Sequence, residues 1–446
     1  MIGPAALFAV AAVAIALALQ ISSGMYDRWA LAVVSVAAAV AVVGAVWRKR
    51  RPGVGGLRLA EAVLGAGCAA GLICTLFATP TFHADPRAFQ GAFRGLVLTA
   101  LAVLSAYLYL HLRASLIRAR FLILLACFAA MAVVVIRASP KPWIDVWEHQ
   151  QAAADALLRG KNPYSISYRD LYGPRARWVP QQMMQGGRVI GFPYPPLTVL
   201  ADAPGFAVFG DVRYSLLALA LGAAWLMARA VPGTAGELAA LLVLFQPRTF
   251  LVLEQAWTEP LVLFCFALCA YCIARGYWAL GGVALGLLAA SKQYTPFLLV
   301  PLAVLLPRRA LLVAAGAFAL SVVPFAVTDP RGLWRGMVQY HVLSAFRTDS
   351  LSLAAFAVRV LGAGVVRFAH LGLLLGACVL AVCVRPRLGL AMASAAAAAS
   401  WAAVLIWYKQ SFCNYWWLCA GLLALAAAFP DREEQGNRLA TAGAAG

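Results

Sequence analysis

Long apolar runs separated by short polar stretches recur along most of the 446 residues. Runs at about 4 to 21, 29 to 47, 57 to 78, 92 to 112 and 120 to 137 each match the roughly 20 residues that a helix needs to cross a bilayer. The pattern then breaks. From Arg137 to about Arg213 lies a polar segment that reads PWIDVWEHQQAAADALLRGKNPY, then a basic and aromatic middle, then GFPYPPLTVL. Further apolar runs follow at about 212 to 230, 235 to 252, 258 to 274, 277 to 290, 294 to 306, 310 to 327, 364 to 384, 388 to 407 and 412 to 429. The pattern predicts an all-α polytopic membrane protein of about 13 to 14 transmembrane helices with a large first external loop over 138–212. It divides into a four-helix segment 1–119, a module 120–361 that includes the loop, C-terminal helices 362–430 and a tail 431–446.

Composition agrees, since 63% of residues are hydrophobic and 12% charged, which a soluble chain of this length has no interior to hide. The net charge of +19 (36 Lys and Arg against 17 Asp and Glu) would suggest a nucleic-acid partner in a soluble protein. Here it follows topology, because Lys and Arg in short loops are retained on the cytoplasmic side. Arg48, Lys49, Arg50, Arg51 and Arg58 follow the second run, and Arg113, Arg118 and Arg120 follow the fourth. Both clusters are expected to be cytoplasmic, which puts the long loop outside the inner (plasma) membrane and the acidic tail (Asp431, Glu433, Glu434) inside. Segment 195–210 is apolar but short and opens on two prolines. Were it to cross, Arg229, Arg275, Arg308 and Arg309 would move outside, so it is expected to lie along the interface. Residues 2 to 20 lack a basic start and a small-residue cleavage site, and predict a retained first helix. The ten cysteines fall nearly all in apolar runs, with Cys265, Cys269 and Cys272 at helical spacing, and read as small buried hydrophobes.

Several polar groups are predicted to meet on the loop side. Asp145, between Trp143 and Trp147, follows the fifth helix closely; it reads either as a general base for a hydroxyl near the membrane surface or as a helix cap or partner of Lys141. QQAAADALL then predicts an amphipathic helix, Asn162-Pro163-Tyr164 a turn, and YPPL a second helix start. Lys292 in SKQY, between two runs too short to cross, predicts a break in the helix; it is a site cation or a residue that snorkels to the membrane edge. Glu259 in EQAWTEP either orients a substrate or pairs with Lys292. Glu254, Gln255, Arg335, His341, Arg347, Asp349, Lys409 and Asn414 complete the set, and an ionisable residue at membrane depth is functional by default. The middle of the loop, with Arg169, Arg175, Arg177 and Arg188, reads as a solvated or headgroup-facing surface. Asp145, Glu148 and His149 lack the further ligands that a metal site requires, so no obligatory metal or cofactor is expected.

An acidic residue just outside a span, an amphipathic helix, a GxNPY turn and a YPPL segment together resemble the GT-C superfamily of polyprenyl-phosphate-dependent glycosyltransferases. Within it, the order of motifs is most similar to the family 87 bacterial membrane mannosyltransferases. GGVALGLLAASK resembles that family's glycine-rich helix ending in Lys, and the stretch from Arg335 to Ser352 its second external loop; Glu254 stands where a Gly is usual. The resemblance covers roughly 120–415, and four helices precede the one that would be first in such a module. It implies an inverting transfer of a sugar, most simply mannose, from a polyprenyl-phosphate donor to an extracytoplasmic lipid or glycan acceptor. Asp145 would be the base; Lys292, His341, Arg335 and Arg347 would bind the donor phosphate; Glu148, His149, Tyr164, Tyr194, Gln255 and Glu259 would position the acceptor. The rival expectations are a lipid or glycan transporter and a non-catalytic scaffold of the same fold.

Overall fold

A computed structural model describes residues 3–46, 55–109, 114–173, 179–384 and 388–429. Arg48 to Arg51, Arg113, Arg175, Arg177 and the acidic tail lie outside the described residues, as does the side chain of Arg118. The first five helices are α1 (Pro4–Ser22), α2 (Arg28–Val46), α3 (Gly55–Phe77), α4 (Ala92–Tyr109) and α5 (Ala114–Ala138). The polar segment holds α6 (Asp145–Leu158), a sheet of β1 (Ser167–Arg169), β2 (Met184–Gln185) and β3 (Arg188–Ile190), and α7 (Pro196–Phe209). Next come α8 (Arg213–Ala230), α9 (Thr234–Phe245), α10 (Thr249–Glu254), α11 (Glu259–Arg275), α12 (Trp278–Ala289), α13 (Pro296–Ala303) and α14 (Arg308–Thr328). The chain continues through α15 (Pro330–Trp334), α16 (Tyr340–Leu343), α17 (Leu353–Leu361), α18 (Leu371–Cys383), α19 (Leu390–Ile406) and α20 (Cys413–Ala428).

The protein is a multi-pass helical membrane protein. Among the described residues seven stretches are long and apolar enough to cross: Pro4–Ser22, Arg28–Val46, Gly56–Phe77, Pro86–Leu108, Ala119–Ala138, Arg308–Thr328 and Ala363–Cys383. The pair α7 and α8, bent by 116°, would make an eighth, and α9, α12, α19 and α20 are apolar but shorter. The expected 13 to 14 spans took the apolar runs one by one, those flanking Lys292 already too short to cross by themselves. In the fold several of those runs stop short, because the chain turns at Gln246–Arg248, at Gln255–Thr258 and between Ala289 and Pro296, where the predicted break at Lys292 falls. Irregular backbone of this kind is tolerated at depth where protein covers it.

Hydrogen bonds tie the turns at one end of the bundle into a single polar layer. Arg248 donates to the carbonyls of Thr79 and Gln20 at 3.1 and 3.4 Å, and Gln150 to that of Ala256 at 2.7 Å. The Tyr26 amide meets the Asp349 carbonyl at 2.8 Å. At the opposite end Arg120 and Tyr107 close on Glu237, both at 3.0 Å. α7 enters and leaves at the end that holds Asp145: Pro193 before it accepts from His341 at 2.7 Å, and Arg213 after it donates to Ile136 at the close of α5 at 3.2 Å. Arg229, Arg275, Arg308 and Arg309 thereby share the other end of the bundle.

α1 packs against α2, α3 and α20, and α3 against α9, so the four N-terminal helices share one apolar core with the rest. α20 lies at its centre, with Trp416 and Trp417 fully buried. Their indole N–H groups donate to the Leu351 carbonyl and Thr249 hydroxyl at 3.2 and 2.9 Å, as buried indoles require. A second apolar cluster, of Tyr164, Tyr168, Val189, Phe192, Tyr194, Phe325 and Leu333 among others, sits beneath the sheet. In that sheet β3 is central, antiparallel to both neighbours, with Tyr168 opposite Val189.

Candidate functional site

α6 starts at Asp145 and carries Asp145 and Glu148 in its first turn, where carboxylates suit the positive end of the helix dipole. It stops at Gly160, whose φ of +71° is the left-handed geometry that glycine adopts without strain. Asn162 then caps the next turn through Tyr164 N–H at 2.9 Å and reaches Thr328 at the end of α14 at 2.7 Å. The GxNPY turn therefore anchors the segment to the bundle. Asp145 is half-buried and accepts from its own neighbour's amide, Val146 N, at 2.9 Å and from the Tyr172 hydroxyl at 3.4 Å.

Tyr172 bonds this carboxylate, and Tyr194 and Tyr340 lie within reach of its charge. Burial first, and then the negative charge of Asp145, push the phenols of Tyr172, Tyr194 and Tyr340 above their usual range. All three stay neutral hydrogen-bond donors. Tyr194 is the hinge of the arrangement, because the ammonium of Lys292 lies 4.9 Å from its ring centroid, a cation–π distance. Lys292, 6% exposed, also meets Glu259 at 3.3 Å and the Thr258 hydroxyl. Tyr294 donates to the same Glu259 oxygen at 3.0 Å.

Helix packing aims Lys292. A Cβ at Gly282 or Gly286 would stand 2.3 or 2.2 Å from the carbonyl of Ala310 or Ala314, so these two glycines, four apart, let α12 lie directly against α14. The glycine-rich stretch is thus the seat of the helix that delivers the lysine. Glu259 is delivered by the turn after α10, where Ala256 has a φ of +53°, strained for a residue with a side chain. The bond from Gln150 of α6 holds that turn, and so links the helix of Asp145 to the motif that grips Lys292.

The remaining predicted residues separate into those near this centre and those committed elsewhere. Arg347 pairs with Asp349 at 2.6 Å, and its charge reaches Tyr172. Arg335 lays its stem over Gly191 and forms no ion pair among the described residues. His341 does not enter as a cation. Burial foremost, with Lys292 and Lys409 nearby, outweighs its bond to Pro193 and lowers its pKa to about 4, so the imidazole is neutral. His149 is also kept neutral by burial, tied to the Arg169 carbonyl and set against Tyr168. Tyr164 donates to the Tyr194 carbonyl and supports the loop from below. Glu148 is half-buried one turn along from Asp145.

Gln255 lies apart from that centre and donates to Glu254 at 3.1 Å. Glu254 in turn accepts the backbone amides of Phe82, His83 and Ala84 at 2.7, 2.9 and 2.8 Å. It fastens the turn between α3 and α4. Lys409 spends its ammonium on the carbonyls of His341, Val342 and Ser344 at 2.6, 3.2 and 2.9 Å, capping α16. Arg188 bonds Ser167 within the sheet. Among the described residues no group of three or more His, Cys, Asp or Glu is placed to hold a metal ion.

Tyr172, Tyr340, Thr258 and Asp202 are the participants that sequence reasoning missed. Asp202, on the buried face of α7, carried a signal that was available: a carboxyl inside an otherwise apolar helix. Compared with protein-family models, curated proteins and solved structures, the chain matches none. What its fold defines is the class, a polytopic helical membrane protein, with a polar, ionisable centre built at one end.

Proposed function

We propose that the chain is a membrane glycosyltransferase that moves a sugar, most simply mannose, from a polyprenyl-phosphate donor to a lipid or glycan acceptor on the extracytoplasmic face. The observation that supports this reading is that Tyr194 lies within reach of the charge of Asp145 while the ammonium of Lys292 sits 4.9 Å from its ring centroid. Transfer with inversion needs a base on the acceptor hydroxyl and positive charge where the departing phosphate gathers its negative charge. Asp145 takes the first role. Lys292 and Arg335 take the second with Arg347 behind them, and His341 contributes as a neutral imidazole rather than a cation. Glu148 and Glu259 are left to orient hydroxyls. The donor is the only activated partner that this chemistry requires, since a phosphate leaves as an anion.

Asp145→Asn preserves shape and removes the base. Purified protein in lipid nanodiscs, given radiolabelled polyprenyl-phosphate mannose and membrane acceptors, is expected to lose about 10²- to 10⁴-fold in transfer rate with this change. Full activity of the variant would remove Asp145 from the chemistry.

A transporter is the second reading, and the bend of 116° between α7 and α8 favours it, because broken helices near buried charge line transport paths. Proteoliposomes separate the two: movement of labelled lipid between leaflets, with no new glycosidic bond, would select the transporter.

A further inference from the structure

The buried charges about Lys292 do not balance. One ammonium faces two carboxyls. Glu259 lies 3.3 Å away and is fully buried, with one oxygen held by Lys292 and Tyr294 and the other without a hydrogen bond among the described residues. Asp202 is 1% exposed; among the described residues neither of its carboxyl oxygens receives a hydrogen bond, and the one charge that acts on it is that of Lys292. Thr198, one turn before it on α7, donates to the carbonyl of Ser291 beside Lys292 at 3.4 Å, so the helix face that bears Asp202 abuts the lysine turn.

An ionised carboxylate stripped of donors and removed from water is among the costliest arrangements a protein can make. Two carboxyls and one ammonium reach neutrality only with a single proton on one of the two carboxyls. The other titratable groups in range do not alter that sum. Tyr294, Tyr415, Tyr194 and Cys413 face Glu259 and are neutral near pH 7. His341, which faces Lys292, is neutral as well. Asp145, beyond Tyr194, adds negative charge and sharpens the deficit.

We propose that Asp202, Glu259 and Lys292 form a proton-coupled anion site: when a phosphodiester monoanion engages Lys292, one of the two carboxyls takes up one proton from solvent. The contact between Lys292 and Glu259 gives way to one between Lys292 and the phosphate, and the carboxylate left behind is neutralised. This rests on Lys292 as the phosphate residue of the reading above. It adds that binding and protonation are a single event at the carboxyl that Lys292 releases, Glu259, with Asp202 as the acid that already holds a proton before the phosphate arrives.

The test uses the full chain in nanodiscs with methyl farnesyl phosphate, a diester whose single charge does not titrate near neutrality. Isothermal titration calorimetry at pH 7 in two buffers of different ionisation heat measures protons exchanged per ligand bound. One proton is expected to be taken up, and Kd is expected to rise tenfold per pH unit between pH 6 and 8. The double variant Asp202→Asn with Glu259→Gln is expected to bind with no proton uptake and a flat pH profile, whereas Asp202→Asn alone, which leaves one carboxyl on Lys292, keeps the coupling. Binding by the wild type without proton uptake overturns the proposal using no variant at all, as does a double variant that retains the pH slope. Failure of the wild type to bind, or equal affinity in Lys292→Met, refutes the phosphate role of Lys292 and the coupling with it.

Discussion

Glu254→Ala should unfasten the turn between α3 and α4 from the rest of the bundle. The carboxylate is fully buried and receives three backbone amides, from Phe82, His83 and Ala84, at 2.7 to 2.9 Å. A hydrogen bond to a charged group contributes roughly 1.5 to 3 kcal/mol. Three such bonds set a gross loss of about 4.5 to 9 kcal/mol, and the desolvation that the buried carboxylate no longer suffers offsets part of it. Water reaches the partly buried amides of Phe82 and His83 in the variant, which leaves the buried Ala84 amide as the main orphan. A net destabilisation of about 3 to 5 kcal/mol is expected. Glu254→Gln keeps one acceptor oxygen and should lose about half as much. Reversible unfolding in mixed micelles of dodecyl maltoside and SDS, followed by tryptophan fluorescence, gives both values. An alanine variant within about 1 kcal/mol of wild type would refute the reading of Glu254 as a fastening.

Three further outcomes are expected. Arg213, fully buried, pairs with Asp211 at 2.6 Å and joins α5 to the start of α8; Arg213→Met should cost about 3 to 5 kcal/mol by stranding Asp211, and adding Asp211→Asn should recover most of it in the same titration. Gln150→Leu leaves the Ala256 carbonyl without its partner and should cost about 1 to 3 kcal/mol, with a larger loss of transfer rate than Gln151→Leu if α6 and the Glu259 turn act together. The imidazole of His341, with its pKa lowered to about 4 from an unfolded value near 6.5, refuses a proton that the unfolded chain accepts. Its contribution is therefore complete above about pH 6.5 and is lost as pH falls towards 4, on the order of 3 kcal/mol; stability measured against pH should be flatter over that window in His341→Gln, and identical profiles would contradict the assignment.

The parts legible in the sequence were those encoded locally. α1 to α5 each fill a bilayer-length run, the break at Lys292 shows in two neighbouring runs too short to cross, and Asp145 follows a span and heads an amphipathic pattern. The rest depends on partners distant in the chain. Glu254 and Glu259 sit in one short motif, EQAWTEP, yet one grips backbone amides some 170 residues earlier and the other meets Lys292; nothing in the motif itself tells them apart. Lys409 is a lone cation by sequence, and only the carbonyl ends of α16 reveal it as a cap. Tyr172 lies in the stretch DLY just after β1, indistinguishable from solvated loop until the fold brings its hydroxyl to Asp145. The apolar runs beyond the long stretches end at turns, and hydropathy does not register where a helix turns back.

The neighbourhood of α1 and α20 bears on how the protein is made. Ribosome and membrane see the first of these helices nearly 400 residues of synthesis before the second. During that interval the face of α1 that α20 later covers, together with the matching faces of α9, α11 and α19, must rest against lipid, other helices or an insertion chaperone. Because α20 is buried on almost every side, its arrival closes the assembly much as a keystone closes an arch. Chains halted before Cys413 would then be open structures, recognisable to membrane proteases, and damage to this helix would be felt as loss of protein rather than as loss of rate.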